Sequence, residues 1–229
     1  MNNTIVQTYR NVASRLVPEI LIQTRNFQEL QSVESQLRKI GSGRNGSELL
    51  ARIKMLSTEG RHVQIITWDG NNCVAGRMTD KQVQATGITP NPDDPLHISF
   101  MYSFARIRPD NTNNFGVVGI IKLNLNQGVE LDKWGFPTGR NDYKQDNFLS
   151  LAHELVHAYH LMNGTYLTSD PIETVRLINS SMRQEEDRAV GMGRFRGSAI
   201  SENGVRVDHN RPLRAHYFSL EQIKQFGTY

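Results

Sequence analysis

The chain has 229 residues and a mass of 26.0 kDa, room for one domain with a substantial core and too little for a long repeat array. Hydrophobic residues make up 38%, charged residues 21% and the mean hydropathy is -0.50, values foreign to disordered or membrane-embedded chains. Lys and Arg number 26 against 23 Asp and Glu, so a net charge of +3 gives little ground for nucleic-acid binding, and we expect neither a nucleic-acid nor a membrane partner.

Taken in chain order, the first residues from Met1 to Arg10 lack the apolar stretch and small-residue cleavage site of a secretory signal peptide. Leu30, Val33, Leu37 and Ile40 recur at spacings of three and four, which predicts an amphipathic helix over Phe27 to Ile40 with Gly41 as its stop. Ser47 can cap a second helix carrying Leu49, Leu50, Ile53 and Leu56 on its apolar side. Val63 to Trp68 is rich in β-branched and aromatic residues, and Asp69 to Asn72 reads as a turn into a return strand from Cys73 to Met78, a hairpin. Cys73 is the single cysteine and reads as a small hydrophobe.

Pro90, Pro92 and Pro95 mark Thr86 to Pro95 as a connector, after which Leu96 to Phe104 and Gly116 to Asn126 read as strands. From there to the end the pattern is helical. Strands first and helices afterwards predict an α+β fold: a small, mostly antiparallel sheet with helices gathered on one side.

The chemistry lies in the segment from Asp146 to His160, where Phe148, Leu151, Leu155, Val156 and Tyr159 predict a buried helix stopped by Asn163 and Gly164. His153 and His157 are four apart, so a helix stacks them on one face within reach of one zinc ion, with Glu154 beside them. This His-Glu-x-x-His pattern arises by accident in a chain of this length on the order of once in a hundred. A third protein ligand is needed. His160 lies about 10 Å along the helix from His153, too far to share an ion with it, and reads as a supporting or substrate-side residue.

The segment Arg183 to Gly191 offers Glu185 and Glu186, which point about 100° apart on a helix, so one alone faces the metal. Glu186 is our choice, because Ala189 and Val190 at i+3 and i+4 can pack that face on the motif helix. Such a site supports hydrolysis with Glu154 as general base and then proton donor to the leaving amine. The tetrahedral oxyanion needs a further donor, for which Arg214 and Tyr217, three apart on what reads as the last helical stretch, are candidates, with His209 and His216 also near in sequence. No lysine falls between Lys144 and Lys224, while arginines such as Arg183, Arg188, Arg206, Arg211 and Arg214 are frequent there. Framework ion pairs are the default reading of that bias, and recognition of an acidic partner is the alternative.

Three pieces together, the motif helix from His153 to Gly164, the segment Glu185 to Phe195, and Ser201 to Arg206 followed by Arg211 to Tyr217, resemble the NleD-type effector metalloproteases that bacterial pathogens inject through type III secretion. The resemblance covers roughly Gly41 to Phe218. It implies a zincin-like α+β fold with a catalytic helix and C-terminal helices, one Zn2+ held by His153, His157 and one glutamate of the Glu185–Glu186 pair, and Glu154 as acid/base. It further implies residues 1–40 as a secretion or targeting segment with the first helix, and residues 41–229 as the metallopeptidase domain. The implied setting is the host cytoplasm, and the implied substrate is the activation loop of a JNK- or p38-type mitogen-activated protein kinase, cut by a monomeric, gluzincin-like endopeptidase. The competing reading is a zinc-containing binding module that grips an acidic partner through the arginine-rich C-terminal half without proteolysis.

Overall fold

Ile20–Thr24 (β2) and Val63–Thr67 (β3) each alternate buried with half-buried side chains, the period of strands packed on one face. The computed structural model describes residues 9–141, 146–167 and 180–226. In it these strands join Tyr9–Ala13 (β1), Cys73–Arg77 (β4) and Val118–Leu123 (β5) in a five-stranded sheet of order β1-β2-β3-β5-β4. The α+β class holds. At the centre of the sheet β2, β3 and β5 run parallel, and the antiparallel pairings lie at its two edges and in a separate hairpin of Gly128–Leu131 (β6) and Pro137–Asn141 (β7).

Several sequence expectations are corrected here. Val63 to Met78 is not a hairpin: β5 enters between β3 and β4, with Val63 opposite Gly119 on one side and Cys73 opposite Lys122 on the other. The turn residues do form a tight connection, but it wraps the end of β5, where Asn72 Oδ1 accepts from the Asn124 amide. Leu96 to Phe104 is not a strand but most of a helix, Pro95–Ala105. Asp94 caps it by accepting from the Leu96 and His97 amides, and Pro95 sits at its first turn, a start signal that outweighs the aromatic and β-branched content. The chain after Asn126 is not wholly helical, since β6 and β7 precede the motif helix. Cys73 is exposed rather than packed.

Phe27–Gly41 (α1) follows the sequence reading, with Asn26 as its cap. Arg44–Leu56 (α2) starts before Ser47 because its cap is supplied from far away: the Asp208 carboxylate accepts from the Gly46 amide at 2.9 Å and from Asn45 Nδ2 at 2.9 Å. Strand β2 and helix α1, both from the first 40 residues, contribute Ile20, Ile22, Val33 and Leu37 to the same core as Ile65, Ile121, Leu151 and Leu155. Residues 1–8, where the secretion signal is expected to begin, lie outside the described residues.

After Asp80–Thr86 (α3) and the helix Pro95–Ala105 (α4), the motif helix, Asn147–Met162 (α5), is buried along nearly its whole length between α1, α2 and β5. Its approach to the sheet is close: a Cβ added at Gly119 would stand 2.8 Å from the Ala158 Cβ, so only glycine fits there. Gly164, at φ +64°, turns the chain out of α5 as its position after Asn163 predicts. Ser181–Val190 (α6) and Glu202–Asp208 (α7) then pack on α5. Arg214 to Tyr217 is not helical but a coil before the last helix, Leu220–Phe226. It is held in place by Asn203, whose amide side chain accepts from the Arg214 N–H and donates to the Arg214 carbonyl, both at 2.8 Å.

Candidate metal centre

Helical spacing brings the His153 and His157 rings together, and the helix α6 brings Glu186 to them. His153 Nε2, His157 Nε2 and Glu186 Oε2 form a triangle with sides of 3.1, 3.1 and 3.2 Å. Three ligands of a tetrahedral zinc ion, each about 2.0–2.1 Å from the metal, lie about 3.3 Å apart, so the triangle has the size of a zinc site. The opposite ring atoms reinforce that fit. His153 Nδ1 faces Glu202 Oε2 at 3.1 Å and His157 Nδ1 faces Glu185 Oε1 at 3.1 Å. With Nδ1 donating to a carboxylate, each imidazole aims its Nε2 at Glu186, so that side is completed either by a shared proton or by a cation in its place.

The carboxylates are themselves tied down. Glu185 is wholly buried and also accepts from His160 Nδ1 at 2.6 Å and from the Leu167 amide at 3.2 Å. Burial pushes its carboxyl up, but His160 and His157 outweigh that and bring it down to about 2. Glu202 accepts from Arg206 Nε at 2.8 Å and from Arg214 Nη1 at 3.1 Å; against its burial, these two guanidinium groups hold it far below the usual carboxylate range. His153 is lowered by burial yet pushed up to about 9 by Glu186 and Glu202. Glu154, next to His153 on α5, lines the same cleft, and burial raises its carboxyl, the direction that suits a group exchanging protons near neutral pH.

An open cleft of about 650 Å³ reaches this centre, with His153, Glu154, Tyr217, Ser150, Asn72 and Val129 among its walls. The Tyr217 phenol is pushed well above its ordinary value by burial and by Glu186, to which it is hydrogen-bonded, so it remains a donor. Arg214 also lines the cleft, but its three guanidinium nitrogens are engaged, Nη1 with Glu202, Nε with the His216 carbonyl at 3.2 Å and Nη2 with the Tyr217 carbonyl at 2.8 Å. The other sequence candidates stand apart: His216 stacks on Phe136 with 3.6 Å between ring centroids, and His209 meets Phe148 edge-on at 4.9 Å.

The arginine-rich stretch is engaged internally to a large extent. Arg183 pairs with Asp187, Arg211 with Asp146, and Arg206 and Arg214 share Glu202. Sequence reasoning finds in Glu202 only a partner for arginines and does not connect it to His153. The signal exists in part: a glutamate four residues before an arginine on a helix, Glu202 and Arg206, marks a pair. Nothing in the local pattern reports that α7 docks on α5.

Among solved structures, the catalytic domain of Clostridium botulinum neurotoxin serotype F is 14% identical, with a TM-score of 0.40, covering 87% of this chain and 54% of that one. The botulinum neurotoxin serotype HA light chain is 14% identical at a TM-score of 0.41, with 87% and 54% covered. The type G light chain is 15% identical at 0.40, with 91% and 62% covered. The chain thus spans little more than half the length of these proteins. No curated protein sequence matches it. The family model of the M91 peptidases, described as effector proteins, matches residues 23–217, which takes in most of the sheet, the motif helix and every residue of the metal centre. The chain belongs to the peptidase M91 family of effector proteins.

Proposed function

We propose that this chain is a zinc metalloendopeptidase of the His-Glu-x-x-His type that is delivered into a host cell and hydrolyses a peptide bond in a host signalling protein. The observation that carries the reading is the triangle of His153 Nε2, His157 Nε2 and Glu186 Oε2, sized for one zinc ion and opening on a cleft beside Glu154. When bound there, zinc supplies Lewis acidity towards water and a substrate carbonyl. Glu154 takes the proton of the attacking water and returns it to the departing amine. The Tyr217 phenol, kept protonated, donates to the oxyanion as it develops. Arg214 has a holding role. By gripping the Tyr217 carbonyl and Glu202 it fixes the phenol on one side and the His153 ring on the other.

Membership of an effector family supports delivery into host cells; the secretion signal falls in the first residues, ahead of β2 and α1, whose side chains share the core of the motif helix. The finer substrate assignment, a JNK- or p38-type kinase activation loop, rests on the resemblance of the motif segments. The test is cleavage of purified candidate kinases followed by mass spectrometry of the products. Glu154→Gln is expected to lower the rate by roughly 10²- to 10⁴-fold with zinc content unchanged, and a variant that cuts at the normal rate removes Glu154 from the mechanism. In the same preparations Glu186→Ala is expected to strip zinc from the chain while Glu185→Ala keeps more of it; full occupancy in Glu186→Ala moves the third ligand elsewhere.

A further inference from the structure

His160 is buried, titratable and without a part in the chemistry above. Its Nδ1 lies 2.6 Å from Glu185 Oε1, the same oxygen that accepts from His157 Nδ1 at 3.1 Å. These three residues can also be read as a second metal group. The spacing decides against that reading: 2.6 Å is a charge-assisted hydrogen bond and is well short of the roughly 3.3 Å between two ligands of one tetrahedral ion.

We propose that His160, acting through Glu185, is a positioning residue for the metal centre: it holds the Glu185 carboxylate in the one orientation that both orients the His157 ring and fixes the rotation of α6. This rests on the zinc reading above and deepens it. First, an ionised carboxylate with no exposure to water persists only if donors replace its hydration, and among the described residues Glu185 receives three, from His157, His160 and the Leu167 amide. His160 makes the shortest of the three. Without it, Oε1 keeps His157 as its sole close donor among the described residues, and the carboxylate loses its shortest tether while the Leu167 amide holds only Oε2.

Second, Glu185 and Glu186 are adjacent, so their side chains leave α6 about 100° apart. Glu186 can reach the two Nε2 atoms only at one rotation of α6. Pinning Glu185 beneath α5, at His157 and His160, sets that rotation. Arg188, one turn further on, locks the same face by donating from Nη1 to the Thr165 carbonyl at 2.6 Å. The pair Glu185 and His160 therefore governs two of the three ligand atoms while contacting neither the ion nor the cleft.

The experiment is zinc affinity, measured by competition with a chromophoric chelator, alongside the melting temperature of the zinc-stripped chain, for wild type, His160→Phe and His160→Asn. Phenylalanine keeps the ring volume and removes the donor; the asparagine amide puts an N–H where Nδ1 stands. The expected result is zinc binding weakened roughly 10- to 100-fold in His160→Phe and held within about threefold of wild type in His160→Asn. A His160→Phe chain that melts lower but binds zinc within about twofold of wild type overturns the proposal, as does an asparagine variant as weak as the phenylalanine one. If His160→Phe does not fold, Glu185→Gln decides: a loss of about tenfold or more supports the proposal and a change within about twofold overturns it. A wild-type chain that takes up no zinc defeats the zinc reading itself, whereas tight wild-type binding with unchanged variants defeats only this one.

Discussion

The two histidines of α5 are each backed by a buried glutamate, and the two glutamates are stabilised by different means. Glu202, behind His153, is clamped by Arg206 and Arg214. Glu185, behind His157, has an imidazole and a backbone amide, and Arg188 stays 3.8 Å away. Guanidinium is a permanent charge, while imidazole and amide are neutral donors. The side that faces the cleft is thus built from full charges, and the side that faces the core from hydrogen bonds. One consequence is geometric. The Arg214 clamp also ties down the segment that carries Tyr217, so the charged side organises a wall of the cleft as well as a ligand.

The sharpest way to break this comparison is to remove each glutamate in turn. Glu202→Ala leaves Arg206 and Arg214 buried without their counter-charge and is expected to cost about 3–5 kcal/mol of stability. Glu185→Ala removes one carboxylate from His157, which keeps Glu186, and leaves no buried guanidinium without its close partner, so it is expected to cost less, about 1–3 kcal/mol. Urea unfolding of the zinc-stripped variants measures both, and equal losses would show that the two sides are balanced alike.

A smaller effect sharpens the comparison through pH. The His153 imidazole is raised from 6.5 to about 9 by Glu186 and Glu202 against its burial. A raised folded value stabilises the chain fully below the unfolded value and loses that contribution as pH climbs through the folded one. The melting temperature of the chelator-treated chain should therefore fall between pH 6.5 and about 9. With zinc on Nε2 the ring stays neutral and keeps its Nδ1 proton throughout, so the profile should be flat over that window. Glu202→Gln should reduce the fall; an undiminished fall would assign the raised value to Glu186 alone.

Much of this centre is legible in the sequence because its spacing is local. A separation of four residues between His153 and His157 dictates a shared helical face, and the apolar neighbours Ala189 and Val190, both fully buried, point Glu186 towards α5. What the sequence hides is set by distant packing. Glu202 reaches His153 only because α7 docks on α5, and the coil at Arg214 is tied to α7 by Asn203, which pairs with its backbone. The strand order is hidden for the same reason: a tight turn between β3 and β4 looks alike whether the strands pair or admit β5 between them. By contrast the helix Pro95–Ala105 carries its start signal in Asp94 and Pro95, obscured by the strand-like composition that follows.

The cap of α2 by Asp208 links positions 162 residues apart in sequence. While the polypeptide is still emerging from the ribosome, the first turn of α2 has no such partner, and Gly43 offers no side chain of its own to stand in. Completion of that helix end waits for α7, the element that also brings Glu202. Docking of α7, made long after α2, therefore finishes the start of α2 and one half of the candidate metal centre in a single step, so that a nascent or truncated product ending before α7 lacks both together.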